Sequence, residues 1–252
     1  MSIFDGYAKY YDIFYKDKDY VKEAYFINNL IKKYDKKYNS ILDLGCGTGK
    51  HDLILHKEGY KITGVDNSKE MLKIAKANLK NADINYIEGD IRNINLDKKF
   101  DVIISLFHVF SYLTSNEDLD SAFSTVQKHL KENGIFVFDC WYGPKVLREL
   151  PETRIKKIKD DKYEIFKLVE PSINLNENKI TVSYNIIVCN NLESKFEEFN
   201  ETHYMRYLFK PEIELFLSSK NLKLIEYGNS FIDQNNNGVN DWNQYFVVKF
   251  TN

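Results

Sequence analysis

Three alternating glycines directly after an apolar segment are the clearest chemical signal in this sequence. Residues 41–50 read Ile-Leu-Asp-Leu-Gly-Cys-Gly-Thr-Gly-Lys, so that Gly45, Gly47 and Gly49 follow an aspartate, Asp43. Glycine lets the backbone approach a ligand closely, and a helix that follows such a turn offers unpaired amide groups at its N-terminus. The spacing differs from the G-x-G-x-x-G pattern of nicotinamide-binding turns, and Asp43 would repel a diphosphate. The motif therefore predicts a ligand that carries an ammonium group.

Two further carboxylates follow later apolar segments. Asp66 lies where the acid of dinucleotide-binding folds accepts the hydroxyls of a ribose. Asp90 is suited to accept a hydrogen bond from the exocyclic amine of a purine, with Ile91 packing on the ring. Met71 is placed to cover the other face of the base, although a role in the core fits it equally well. Acids after three apolar segments together indicate one nucleoside-binding site.

The intervening segments alternate short apolar strands with amphipathic helices, which is typical of a parallel sheet wound by crossover helices. Helices are predicted at residues 7–15, 19–34, 68–79 and 119–130, and strands at residues 40–44, 60–65, 84–87, 100–105 and 134–139. In such sheets ligands bind beyond the carboxyl ends of the strands. The three acids belong to this edge of the predicted sheet.

After the fifth strand the pattern changes to alternating polar and apolar residues. This alternation predicts an inserted antiparallel sheet of three or four strands, with strands at residues 162–168, 180–189 and 195–208. A helix that Pro211 opens and a β-hairpin, with strands at 222–227 and 244–250 flanking a polar segment at 233–241, then close the chain. We predict one domain over residues 1–252, with a helical cover at 1–38 and the insertion at 155–209.

The composition narrows the classes of function. The 252 residues carry a formal net charge of -2, which gives no general attraction to nucleic acid or anionic lipid. Cys46, Cys140 and Cys189 are widely spaced without a C-x-x-C pair, so neither a disulfide framework nor a metal site is expected. No apolar run approaches the roughly 18 residues of a membrane span. We expect a cytoplasmic protein that acts on a small molecule, with no nucleic-acid or membrane partner.

The acid-bearing glycine turn, Asp66, Gly89-Asp90 and the closing hairpin resemble those of the class I S-adenosylmethionine-dependent methyltransferases. The resemblance covers residues 40–139. It implies an α/β fold with a Rossmann-like seven-stranded methyltransferase sheet, helices on both faces, a C-terminal antiparallel hairpin and an inserted antiparallel β-sheet. It also implies S-adenosyl-L-methionine as cofactor, bound by Tyr15, Gly45, Cys46, Gly47, Asp66, Asn67, Met71, Asp90, Ile91 and Leu106.

Two aromatic segments are similar to those of N-methyltransferases that act on nucleotide-linked amino sugars, the desosamine type. They are Tyr-Tyr-Asp-Ile-Phe-Tyr at residues 10–15 and Phe-Asp-Cys-Trp-Tyr at residues 138–142. In that group an N-terminal tyrosine helix covers the cofactor and the second segment meets the sugar nucleotide. Asp139 and Cys140 stand where that group has a glutamate and a proline. The substrate residues expected here are Tyr11, Trp141, Tyr142 and Arg206.

His108 is the predicted catalytic residue, because it follows the fourth strand where a methyl acceptor would approach the sulfonium. A histidine can remove the proton of a hydroxyl acceptor, which is worth on the order of 10² to 10⁴ in rate. For an amine acceptor it would orient or desolvate the nitrogen, and a structural role is the alternative. Arg206 suits a diphosphate or carboxylate, although a surface ion pair is the more common role of such an arginine.

The predicted function is methyl transfer to an amine or hydroxyl of a small polar acceptor such as a nucleotide-linked sugar. A methyltransferase for an amino acid or another metabolite, and a noncatalytic S-adenosylmethionine-binding protein, remain alternatives. Residues 105–108 lack the Asn-Pro-Pro-Tyr type of motif that handles a flipped base, which disfavours a nucleic-acid methyltransferase. The glycine spacing and Asp43 oppose a nicotinamide-dependent dehydrogenase. A homodimer is compatible with the sequence.

Overall fold

A computed structural model describes residues 8–159, 161–229 and 242–251. In chain order the first part contains α1 (Ala8–Phe14), α2 (Tyr20–Tyr34), β1 (Ser40–Leu44), α3 (Lys50–Lys57), β2 (Lys61–Asp66), α4 (Lys69–Asn78), β3 (Asn85–Glu88), β4 (Phe100–Ser105), a 3₁₀ turn (Val109–Tyr112) and α5 (Asn116–His129). The second part contains β5 (Leu130–Trp141), α6 (Gly143–Arg148), β6 (Arg154–Lys159), β7 (Tyr163–Asn174), β8 (Lys179–Asn190), β9 (Lys195–Arg206), α7 (Lys210–Ser218), β10 (Leu222–Asn229) and β11 (Asn243–Phe250).

The larger sheet has seven strands in the order β10-β11-β5-β4-β1-β2-β3. The strands from β1 to β5 pair in parallel, whereas β11 runs antiparallel to both β5 and β10. The order of the strands reverses between β1 and β4, which is the point where ligands bind in open α/β sheets. The predicted parallel sheet and closing hairpin are therefore present.

Helices cover both faces of this sheet because its central strands are apolar on both sides. All five residues of β1 are buried, with Leu42 facing one core and Ile41 the other. Phe123 of α5 packs on the first face, and Ile27 of α2 packs on the second. Continuous apolar runs of this kind are what a parallel sheet buried on both faces requires.

The inserted sheet contains the four antiparallel strands β6 to β9. Its inner face packs on α1, where the Tyr10 ring stacks on Phe199 with centroids 6.1 Å apart and the Tyr10 hydroxyl donates to Glu197 at 2.7 Å. β6 was missing from the predicted strands because its sequence, Arg-Ile-Lys-Lys-Ile-Lys, is mostly charged and buries only Ile158. The insertion thereby forms a wall that faces the carboxyl ends of the parallel strands.

Three details differ from the predicted elements. β5 begins at Leu130 rather than at residue 134, through exposed polar residues that carry no apolar signal. α6 and the 3₁₀ turn were not predicted, since each is shorter than two helical turns. The polar segment predicted at 233–241 lies outside the described residues. None of the described helices is long and apolar enough to cross a membrane.

Candidate active site

A cavity of about 1110 Å³ opens beyond the carboxyl ends of the parallel strands. Its walls come from the segments that follow β1, β2, β3, β4 and β5, from the region of α1, and from the inner face of the inserted sheet. All ten predicted cofactor residues line it, namely Tyr15, Gly45, Cys46, Gly47, Asp66, Asn67, Met71, Asp90, Ile91 and Leu106. His108, Tyr11 and Trp141 line the same cavity.

The glycine turn owes its shape to three left-handed backbone positions. Gly45, Gly47 and Gly49 have φ angles of 90°, 54° and 72°, which strongly favour glycine. A Cβ on Gly45 would lie 2.6 Å from Val109, and one on Gly49 would lie 2.0 Å from the Tyr86 hydroxyl. A Cβ on Gly47 would meet no atom of the described residues within 4 Å. Gly45 and Gly49 are therefore needed for packing, while Gly47 leaves open space at its Cα.

Asp66 is held by backbone amides on both carboxylate oxygens. Oδ2 accepts a hydrogen bond from the Gly47 N–H at 2.8 Å, and Oδ1 accepts one from the Ser68 N–H at 2.9 Å. Burial raises the pKa of Asp66, although these amides oppose the shift. Each ionised oxygen has capacity for a second hydrogen bond. The geometry therefore fits a ribose with two hydroxyl donors.

The adenine end of the predicted site is apolar with one carboxylate. Met71 and Ile91 are buried at the cavity wall. Asp90 accepts from Arg92 Nε at 2.9 Å, and this guanidinium lowers the pKa of the Asp90 carboxyl. Arg92 is fixed in turn by Asp118, at 2.7 Å. Asp90 is thus an ionised acceptor whose position is set before any base binds.

The methionine end contains Asp43, which is only 2% exposed and lines the cavity. Its Oδ1 atom has no hydrogen-bond partner in the described part of the chain. A buried acceptor without a donor is costly unless a ligand supplies one. Together with the open space at Gly47, this atom fits an ammonium-bearing cofactor such as S-adenosylmethionine.

The N-terminal helices are tied to the glycine turn by polar contacts. Thr48 donates to Asp12 of α1 at 3.1 Å, and His51 lies 2.7 Å from Glu23 of α2. Burial favours the neutral form of Glu23, but hydrogen bonds and charge from His51 and Lys18 outweigh it and lower the pKa of Glu23 to about 2. These contacts hold the predicted tyrosine cover against the cofactor side of the cavity.

On the predicted acceptor side, His108 is paired with a carboxylate that the sequence analysis did not identify as its partner. Nδ1 of His108 lies 3.0 Å from Oδ2 of Asp139, and the His108 backbone N–H donates to Oδ1 of the same carboxylate at 3.1 Å. Phe107 and His108 have φ angles of 68° and 62°, a strained conformation for residues with side chains. Asp139 is 2% exposed and holds this conformation in place.

A topological signal for this pair was present in the sequence. β4 and β5 are adjacent parallel strands, with Ser105 paired to Phe138. Residues just beyond those two positions therefore meet at one edge, which places His108 beside Asp139.

Neither Tyr142 nor Arg206, two of the predicted substrate residues, lines the cavity. Tyr142 precedes α6 and packs towards Phe246, with ring centroids 6.3 Å apart. Arg206 forms an ion pair with Glu212 of α7. On β9, side chains alternate between the two faces of the sheet, so His203 and Met205 face inward and Arg206 does not.

Instead, the acceptor side is lined by residues that sequence reasoning did not select. Arg148 ends α6 and Arg154 begins β6, and both contribute to the lining. Tyr112 and His203 face each other across the cavity wall, with the hydroxyl 2.7 Å from Nδ1. Neither the arginine pair nor the Tyr112–His203 pair stands out in the sequence, because the elements that carry these residues meet only in the folded chain.

Residues 41–134 match the family model described as a methyltransferase domain. This part of the chain is similar to methyltransferase domains. Two curated relatives are a dTDP-3-amino-3,4,6-trideoxy-alpha-D-glucopyranose N,N-dimethyltransferase of Streptomyces venezuelae, 33% identical, and a dTDP-3-amino-3,6-dideoxy-alpha-D-glucopyranose N,N-dimethyltransferase of Streptomyces fradiae, 31% identical. The alignments cover 57% and 55% of this chain, and span 60% and 54% of the two relatives.

The fold also matches a solved structure. An S-adenosylmethionine-dependent methyltransferase from Clostridium acetobutylicum superposes with a TM-score of 0.81 at 23% identity, over 96% of both chains. These matches confirm the predicted fold and the predicted resemblance to methyltransferases.

Proposed function

We propose that this protein is an S-adenosylmethionine-dependent methyltransferase that methylates the amine of a nucleotide-linked amino sugar. The observation that carries the proposal is the His108–Asp139 pair, whose histidine lines the same cavity as the glycine turn and Asp66. A cofactor-binding half and a proton-accepting half thereby face the same space. A noncatalytic binding protein would need no such pair.

The cofactor half would hold S-adenosylmethionine through residues already placed at the wall. The glycine turn and Asp43 suit the methionine part, Asp66 the ribose, and Asp90 with Met71 and Ile91 the adenine. When bound, the cofactor supplies an electrophilic methyl group on a sulfonium. The chain's own contribution is to fix the position of that group and to bring an acceptor into line with it.

His108, held by Asp139, would receive the proton that the acceptor loses. A carboxylate beside Nδ1 favours a proton on that nitrogen, which leaves Nε2 with a free lone pair. A neutral amine nitrogen would take the methyl group on its lone pair while the methyl–sulfur bond breaks and leaves its electrons on the sulfur. Nε2 of His108 would then receive the proton that the resulting ammonium loses. The same arrangement would remove the proton of a hydroxyl, for which a base matters more.

The size and charge of the acceptor half support a sugar nucleotide. Arg148 and Arg154 line this half, and Arg148 lies 3.2 Å from the single carboxylate of Glu149. One guanidinium group can donate two parallel hydrogen bonds to the oxygens of one phosphate. Two arginines at one opening therefore suit the two phosphates of a diphosphate. The relatives from both Streptomyces species carry names that specify dTDP-linked amino sugars.

The proposal is tested by following release of S-adenosylhomocysteine with a panel of acceptors. The panel contains a dTDP-linked 3-amino sugar, the matching 3-hydroxy sugar and free amino acids. We expect the wild-type protein to turn over the amino sugar, and we expect a His108→Ala variant to lose this turnover. Turnover only with amino acids would replace the substrate class, and no turnover with any member would favour the noncatalytic alternative.

We also infer that the protein works in the cytoplasm as a homodimer, without a nucleic-acid partner. The near-neutral net charge of -2 supports the absence of a nucleic-acid partner. Light scattering tests the dimer, for which the expected mass is twice the 29.8 kDa of the chain. A mass of one chain would contradict the dimer.

A further inference from the structure

Behind the glycine turn lie four buried polar atoms that have no hydrogen-bond partner of ordinary geometry within the described part of the chain. They are Oδ1 of Asp43, both carboxyl oxygens of Asp52 and the hydroxyl of Tyr86. Asp43 and Asp52 are 2% and 0% exposed. Asp43 lines the cavity, while Asp52, in the first turn of α3, lies behind it.

The two carboxyl groups are close enough for each to shift the pKa of the other. Among the described residues, the other titratable groups that face the pair are Asp66, Cys46 and Tyr86, and none of these is basic. His51, next to Asp52 in the sequence, is bonded to Glu23 instead. Two carboxylates contain only acceptors, so a hydrogen bond between them requires a proton. Two buried charges without a cation would also be strongly unfavourable.

We propose that the Asp43–Asp52 pair holds a releasable proton, which leaves when the cofactor's ammonium group binds beside Asp43. This inference rests on the proposed function, because it assumes that the ligand carries an ammonium. In the step, one carboxyl O–H bond breaks, the proton passes to the buffer, and the carboxylate that remains becomes the counter-ion. Asp52 is then a positioning residue that sets the protonation state of Asp43 without touching the cofactor.

The direction of the pH effect follows from the surroundings of the pair. Burial raises the pKa of Asp43 well above its ordinary value, and it raises the pKa of Asp52 to about 7. A bound cation favours the ionised form and so lowers the pKa of the pair. Ligand binding therefore releases a proton below about pH 7, and the affinity rises with pH until that region and then levels.

The experiment is calorimetry with S-adenosylhomocysteine, which has the ammonium but not the sulfonium charge. Titrations near pH 6.5 in two buffers of different ionisation enthalpy give the number of protons released. The ligand's own ammonium stays protonated there, because its pKa of about 8 lies higher. We expect the wild-type protein to release roughly 0.5 to 1 proton per ligand, and to bind about eightfold more weakly at pH 6.0 than at pH 7.5.

The Asp52→Asn variant keeps the size of the side chain and can donate its amide to Asp43. We expect its proton release to fall below about 0.2 per ligand, because Asp43 then stays ionised beside a fixed donor. Asp101→Asn is the matched control, since Asp101 lies at the opposite end of the sheet and pairs with Lys131. It should keep the wild-type proton count. If Asp52→Asn fails to fold by circular dichroism, Asp52→Ser replaces it.

Two results overturn the inference alone, namely wild-type binding without proton release, or equal release in the wild-type protein and the Asp52 variant. The number of protons that the wild-type protein releases tests the inference even if no variant folds. Absence of S-adenosylhomocysteine binding at any pH would instead overturn the proposed function and this inference with it.

Discussion

Replacing Asp139 with asparagine tests the proposed role of the His108–Asp139 pair. In the wild-type protein the His108 backbone N–H lies 3.1 Å from Oδ1 of Asp139. The asparagine keeps an oxygen that can accept this hydrogen bond. Its NH₂ group, however, would face Nδ1 of His108, which now lies 3.0 Å from Oδ2. An amide donor at that point forces Nδ1 to accept and moves the imidazole proton to Nε2. Nε2 can then no longer receive a proton from the acceptor.

The expected loss in kcat is on the order of 10² to 10³, or about 3 to 4 kcal/mol in the activation barrier, which is within the range of general-base catalysis. The assay is initial-rate release of S-adenosylhomocysteine at saturating cofactor. Cofactor affinity should change by less than about threefold, because Asp139 lies on the acceptor side. Cys140→Ala, at the next buried position, is the control and should retain most of the rate. A kcat for Asp139→Asn within about threefold of wild type would refute the proton-accepting role.

Three further changes have expected outcomes. Gly49→Ala should lower the free energy of unfolding by about 2 to 4 kcal/mol, since its Cβ would lie 2.0 Å from the Tyr86 hydroxyl at a φ of 72°. Urea unfolding measures this loss. A loss below about 1 kcal/mol would contradict the close packing of Tyr86 against Gly49. Glu23→Gln should remove about 3 kcal/mol at neutral pH, because the pKa of Glu23 is lowered from 4.5 to about 2. This stability is present above pH 4.5 and is lost as the pH falls towards 2, so the two proteins should converge in acid, and parallel pH curves would oppose the ion pair. Arg154→Ala should raise KM for the sugar nucleotide about tenfold without changing cofactor affinity. Lys157→Ala is the control, because Lys157 does not line the cavity, and it should leave KM unchanged. Equal effects of the two substitutions on KM would show that Arg154 does not bind the diphosphate.

The cofactor half of the site was predictable because its residues belong to local patterns. β1 and β4 coincide with the strands predicted at 40–44 and 100–105. In a parallel sheet the carboxyl ends of the strands share one edge, so Gly45, Asp66 and Asp90 had to meet once the strands were identified. Their meeting needed no knowledge of long-range packing.

The acceptor half was less predictable because it depends on contacts between distant segments. β6 has almost no apolar alternation, which hid the strand that brings Arg154 to the cavity. The charge of Arg206 predicted a substrate contact, although the alternation along β9 turns this side chain towards Glu212. Asp139 appeared only as a departure from a family pattern, whereas the pairing of β4 with β5 makes it the partner of His108.

The most direct test of the central claim is product analysis after incubation with S-adenosylmethionine that carries a deuterated methyl group and a dTDP-linked amino sugar. We predict that mass spectrometry finds one or two labelled methyl groups on the sugar nitrogen, with an equal amount of S-adenosylhomocysteine. An unlabelled sugar, in a reaction where calorimetry shows that the cofactor is bound, would contradict the claim that this cavity joins the cofactor to an amine acceptor.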